Sequence, residues 1–78
     1  MEIKVSDELW PRRKDWSGEV VEVLVKEGQR VKKGDVICEI EIEKAVLQLE
    51  SPIDGIIRKV FIKSGDEVKP NTLLMVIE

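Results

Sequence analysis

A chain of 78 residues with net charge −3 is the size of one domain, and so small a core calls for a closed architecture. No histidine and a single cysteine exclude a tetrahedral zinc site, a Ser/His/Asp or Cys/His catalytic set and an internal disulfide framework. The acidic balance argues against general nucleic-acid binding, no run approaches the length of a membrane span, and MEIKVSDE lacks an apolar signal core, so the expected location is the cytoplasm.

Val and Ile fill the intervals between regularly spaced Gly and Pro, and no 3.6-residue period runs far. The pattern predicts strands over residues 2–5, 18–26, 36–42, 45–50, 55–63 and 73–78, with short extended pieces at Val31 and Val68. The expected fold is all-β, a flattened barrel or sandwich of two antiparallel sheets. A loop over residues 6–17 follows the first strand and holds WPRRKDW, residues 10–16. Trp10 and Trp16 around Arg12, Arg13 and Lys14 form either an exposed contact patch or an apolar cap with the cations in water.

The chain repeats itself at an offset of 37 residues. GEVVEVLVKEGQRVKKGDVICEIE, starting at Gly18, lies over GIIRKVFIKSGDEVKPNTLLMVIE, starting at Gly55, with 8 identities in 24 positions. Two such halves predict a quasi-two-fold arrangement, each burying its apolar face on the other. Gly28 and Gly65 fall at equivalent tight turns, where positive φ is expected.

EIEKAVLQLE, residues 41–50, joins two alternating patterns at Glu43 and Lys44. A two-residue turn there sets Ile42 opposite Ala45, Ile40 opposite Leu47 and Cys38 opposite Leu49, so one face is apolar. Glu39, Glu41, Val46, Gln48 and Glu50, with Ile37, make the other. A one-residue slip would turn acidic side chains into the core, so the register is well specified. The turn lacks Asn, Asp and Gly, and Glu-Lys suits a type I geometry. Lys44 is then either an ordinary solvated tip residue or a lysine presented for covalent modification. Cys38 reads as a small core hydrophobe. Glu39, Glu41, Glu43 and Glu50 form an acidic surface, either a solvated strand face or a docking patch for basic partners.

Across the whole chain these features resemble the biotinyl/lipoyl attachment family, and its lipoyl domains in particular. The motif is Glu43-Lys44-Ala45, where the family usually has Asp-Lys-Ala; Gly28 lies sixteen residues before Lys44 and Gly55 eleven after. Glu41 supplies the acidic residue three before the lysine, and SPIDG, ending at Gly55, resembles the family's SPxxG turn. The resemblance implies one barrel-sandwich hybrid domain that is a carrier, not an enzyme. Lys44 would take lipoic acid from a lipoate ligase or lipoyl transferase, with Glu41, Glu43, Ala45, Gly28 and Gly55 serving recognition and positioning. The arm would carry acyl or aminomethyl groups and reducing equivalents. Its implied partners are the 2-oxoacid decarboxylase, acyltransferase and dihydrolipoamide dehydrogenase components of a 2-oxoacid dehydrogenase-type complex, and the domain itself would be monomeric. No nucleic-acid, membrane or metal role is implied. The alternatives are a biotin carboxyl carrier domain of a carboxylase, which usually reads Ala-Met-Lys-Met, and an unmodified interaction module of the same fold.

Overall fold

Turn residues divide the chain into short β-branched runs, and each run becomes a strand. The computed structural model describes residues 1–5 and 18–78, so the loop over 6–17, with its WPRRKDW segment, lies outside the described residues. The strands are β1 (Glu2–Lys4), β2 (Gly18–Val23), β3 (Arg30–Val31), β4 (Val36–Ile42), β5 (Ala45–Glu50), β6 (Gly55–Val60), β7 (Glu67–Val68) and β8 (Leu73–Ile77). They pair antiparallel in two four-stranded sheets of order β1-β8-β6-β3 and β5-β4-β2-β7.

The offset of 37 residues is a structural two-fold. It superposes β2, β3 and β4 on β6, β7 and β8 in chain order, and the sheet orders then match β5 with β1. The hydrogen bonds repeat with it. Gly28 N donates to Ile57 O at 2.7 Å, as Gly65 N donates to Val20 O at 2.8 Å. Leu24 N donates to Ile37 O at 3.0 Å, as Phe61 N donates to Leu74 O at 2.9 Å. The halves do not simply stack: β3 of the first half pairs with β6, and β7 of the second pairs with β2. Each sheet therefore contains a strand from the other half, and neither half can form its sheet alone.

Between the sheets lies one apolar cluster. Among the described residues, Ile37, Ile40, Ile57, Leu74, Met75 and Ile77 are its largest fully buried side chains, with Val5, Val20, Val31, Val68 and Cys38 beside them. Fully burying an aliphatic side chain contributes about 1.5–3 kcal/mol, so each of these residues is a large favourable term. Gly28 and Gly65 have φ 90° and 94°, as the sequence predicts. Gly34 has φ 94°, and its two-fold mate Asn71 holds φ 70°, a conformation that asparagine tolerates better than most side chains.

Gly18 and Gly55 open equivalent strands against a crossing backbone. A Cβ on Gly55 would lie 2.5 Å from Glu78 O, and one on Gly18 would lie 3.0 Å from Glu41 O. Overpacking of this kind costs about 1–3 kcal/mol. Gly55→Ala should lower the melting temperature by several degrees, and by more than Gly18→Ala; equal melting of both variants and the parent would show that the strands have slack there.

Candidate functional site

β4 and β5 form the longest ladder among the described strands, and it ends at the candidate lysine. The observed register is Ile42↔Ala45, Glu41↔Val46, Ile40↔Leu47, Glu39↔Gln48 and Cys38↔Leu49, as the alternation predicts. Glu43 and Lys44 are the two turn residues, and both side chains are exposed. Among the described residues, Lys44 makes no ion pair. Its amine is accessible, and its backbone is fixed by a paired strand on either side.

Two expectations for this hairpin are corrected. Glu43 has φ 57° while Lys44 does not share a positive φ, so the turn has the φ signs of type II′ and not of type I. The twist of the flanking strands favours primed turns, and it imposes a left-handed conformation on a glutamate at a cost of about 1–3 kcal/mol. Ile37, placed by alternation with the polar face, is fully buried. The register shifts between Val36 and Cys38, and this bulge turns both Ile37 and Cys38 inward. On the apolar face Cys38, Ile40 and Ile42 are buried, Leu47 and Leu49 are half-buried, and Ala45 is exposed.

The other proposed recognition residues divide into two groups. Glu41, Glu43 and Ala45 stand with Lys44 on the hairpin. Gly28 and Gly55 do not: Gly28 lies in the turn between β2 and β3, and Gly55 packs on Glu78. The glycine beside the hairpin is Gly18, whose missing Cβ makes room for Glu41 O and for Ile42 Cγ1 at 3.0 Å. The offset that aligns Gly18 with Gly55 carried this signal. In SPIDG, Ser51 is the buried polar residue. Its Oγ donates to Ile53 O at 2.6 Å, and its backbone bonds Asp35 O and Gly34 N at 2.8 Å each, closing the far end of β5.

The acidic surface is broader than the hairpin. Glu41 pairs with Glu19 and Glu19 with Glu67, so three glutamates stand side by side across β4, β2 and β7. Glu41, Glu43, Glu19 and Glu67 line one open cleft with Gly18 and Gly65. Glu39 faces Glu22 in the next row and accepts from Gln48 Nε2 at 3.1 Å. Glu50 lies at the other end of β5, opposite Val36. The four strands of this sheet contain no lysine or arginine. The opposite sheet carries Lys4, Arg30, Arg58 and Lys59, all exposed. Glu67 reaches the acidic row only because β7 crosses between the halves, which local reading of the sequence misses.

Against this geometry, the model of the biotin/lipoyl family, described as biotin-requiring enzyme, matches residues 14–77. The chain belongs to this family. It is 44% identical over 61 residues to the dihydrolipoyllysine-residue acetyltransferase component of the pyruvate dehydrogenase complex of Rhizobium meliloti, covering 77% of this chain and 14% of that protein. It is 40% identical over 70 residues to the same component in Rickettsia typhi, covering 88% and 17%. The chain thus spans less than a fifth of these relatives. The solved lipoyl domain of the 2-oxoglutarate dehydrogenase complex from Azotobacter vinelandii superposes with TM-score 0.81 at 28% identity, over 100% of this chain and 95% of that one. Kluyveromyces lactis urea carboxylase also shares the fold, with TM-score 0.73 and 26% identity over 100% of this chain and 7% of that one. These matches favour the lipoyl carrier reading over biotin, and a carrier domain over a catalytic one.

Cys38 is fully buried, and burial pushes its thiol up from 9.0 to about 11. The unfolded thiol ionises first as pH rises, so its contribution to stability is intact below pH 9.0 and is lost between pH 9.0 and about 11. Cys38→Ala should remove this part of the alkaline destabilisation and leave the core with a small cavity. An unchanged slope of stability against pH in that window would show that Cys38 does not titrate differently in the two states.

Proposed function

We propose that this chain is a lipoyl carrier domain whose Lys44 is joined to lipoic acid through an amide. One observation carries the reading: an exposed lysine at the tip of a hairpin paired on both sides of the turn, in a chain whose relatives include dehydrogenase acetyltransferase components and a lipoyl domain. The chain fits the group. A covalent arm needs an accessible amine on a rigid base, and Lys44 on β4 and β5 supplies both. On attachment a nitrogen–carbon bond forms at Nζ, the leaving group departs from an activated lipoyl carboxyl, and the amine loses a proton. The lysine's charge is thereby removed.

When bound, the dithiolane supplies acyl acceptance and disulfide redox chemistry. The chain's residues hold and present it. The paired strands fix the direction of Lys44, and the exposed Glu43 and Ala45 leave the tip open to an approaching enzyme. The acidic row suits basic entrances on partner surfaces. The proposed partners are a lipoate ligase or lipoyl transferase, and the decarboxylase, acyltransferase and flavoprotein components of a 2-oxoacid dehydrogenase-type complex. Tethering raises the local concentration of the carried group to roughly millimolar. The proposed setting is the cytoplasm, with the domain monomeric. Biotin is disfavoured because Glu43 and Ala45 flank the lysine where biotin carriers usually have methionine.

Incubating the protein separately with lipoate ligase and with biotin ligase, each with its cofactor and ATP, tests the reading. Lipoylation of the parent, absent in Lys44→Arg, is the expected result. Biotinylation alone, or no modification of the folded protein by either enzyme, would overturn it.

A further inference from the structure

Among the described residues the two sheets have four edges, β1, β3, β5 and β7, and three of them are blunted. β3 and β7 have two residues each. β1 has three, with a register shift and the charged pair Glu2 and Lys4. Short length, bulges and charge are the usual means of protecting an edge. β5 has six residues, contains neither proline nor lysine, and starts directly after Lys44.

The register fixes which backbone groups face outward. Ile42 and Ala45 close a two-residue turn, so Ala45, Leu47 and Leu49 direct their backbone groups at β4. Ser51 keeps the same parity, bonding Asp35 and Gly34. Val46, Gln48 and Glu50 therefore turn N–H and C=O to the open side. Among the described residues, no group hydrogen-bonds to them there. The side chains beside this edge differ by face: half-buried Leu47 and Leu49 on one, and Val46, Gln48 and Glu50 next to Glu41 and Glu39 on the other.

We propose that the outward edge of β5 receives an extended strand of the enzyme that acylates Lys44. The incoming strand alternates apolar side chains, beside Leu47 and Leu49, with long basic ones, beside Glu50 and reaching across Val46 and Gln48 toward Glu41 and Glu39 on β4. The inference rests on the carrier reading and adds the docking mode. Attachment is the one step in which the reacting atom is Nζ itself, so it alone needs a grip on the strand that starts directly after Lys44. Once the arm is attached, the reacting atoms lie at its far end, and so close a grip is unnecessary. The side-by-side glutamates destabilise the isolated sheet, and cations on an added strand relieve that repulsion.

Amide hydrogen exchange of the parent protein, with lipoate ligase and lipoate but no ATP, reads the contact directly. Exchange should slow at Val46, Gln48 and Glu50, while Ala45, Leu47 and Leu49, already in the ladder, change little. Gln48→Pro removes one outward N–H and leaves the β4 ladder bonds in place, and Gln48→Ala, which loses only the side-chain bond to Glu39, is its control. The proline variant should keep a cooperative melt and raise KM for ligation about five- to tenfold, the loss of one hydrogen bond. Normal ligation of the parent with no protection at the three outward amides, or an unchanged KM for the folded variant, would overturn strand addition. Protection by a decarboxylase component but not by the ligase would overturn the assignment of the occupant. A parent that the ligase does not modify at all would instead defeat the carrier reading on which the inference rests.

Discussion

The pairing of β4 with β5 is the constraint on which the rest of the site depends. Six cross-strand pairs run from Val36↔Glu50 to Ile42↔Ala45, and sliding them by one residue would exchange buried Ile40 and Ile42 for Glu39 and Glu41. Burial thus fixes the register, the register fixes the turn, and the turn fixes Lys44. Even the strain at Glu43 belongs to this chain of cause. The strands dictate the twist, and the tip takes the conformation left to it. Aspartate, which the family usually has at that position, would occupy the left-handed region with less strain than glutamate.

The two-fold gives the hairpin its foundation and its direction. Gly18 lets β2 press against β4 next to the turn of the hairpin, as Gly55 lets β6 press against Ile77 and Glu78. Where the first half has its lysine hairpin, the second half has residues 1 and 78, with Ile77 N donating to Met1 O at 2.9 Å. Exchange of β3 and β7 between the halves ties these two ends into one cooperative core. It also separates charge, because every cation borne by a described strand lies on the sheet away from the lysine hairpin.

Much of this was legible in the sequence because β-strand periodicity is short and Gly is specific. The bounds of β4 and β5, the pairing of Ile42 with Ala45 and the positive φ of Gly28 and Gly65 follow from alternation and turn chemistry. Ile37 was misplaced because a bulge breaks the two-residue period, and nothing in VICEIEI marks it. Side-chain preference points to a type I turn, whereas strand twist sets the turn type. Gly28 and Gly55 have the family's spacing from Lys44, yet spacing along the chain is not proximity. They secure a turn and a strand crossing elsewhere, and Gly18 supports the hairpin. Glu67 joined the acidic row through strand exchange, a non-local event with no local signature.

The geometry and the family relationship meet in one account: a rigid double strand holds out a single amine, and the remainder of the fold keeps that strand pair in register. Intact mass with peptide mapping, on the protein isolated from its own host under lipoate-replete conditions, tests the account most directly. The account predicts a lipoyl adduct confined to Lys44. A biotinyl adduct there, or an unmodified Lys44 in the folded protein, would contradict it.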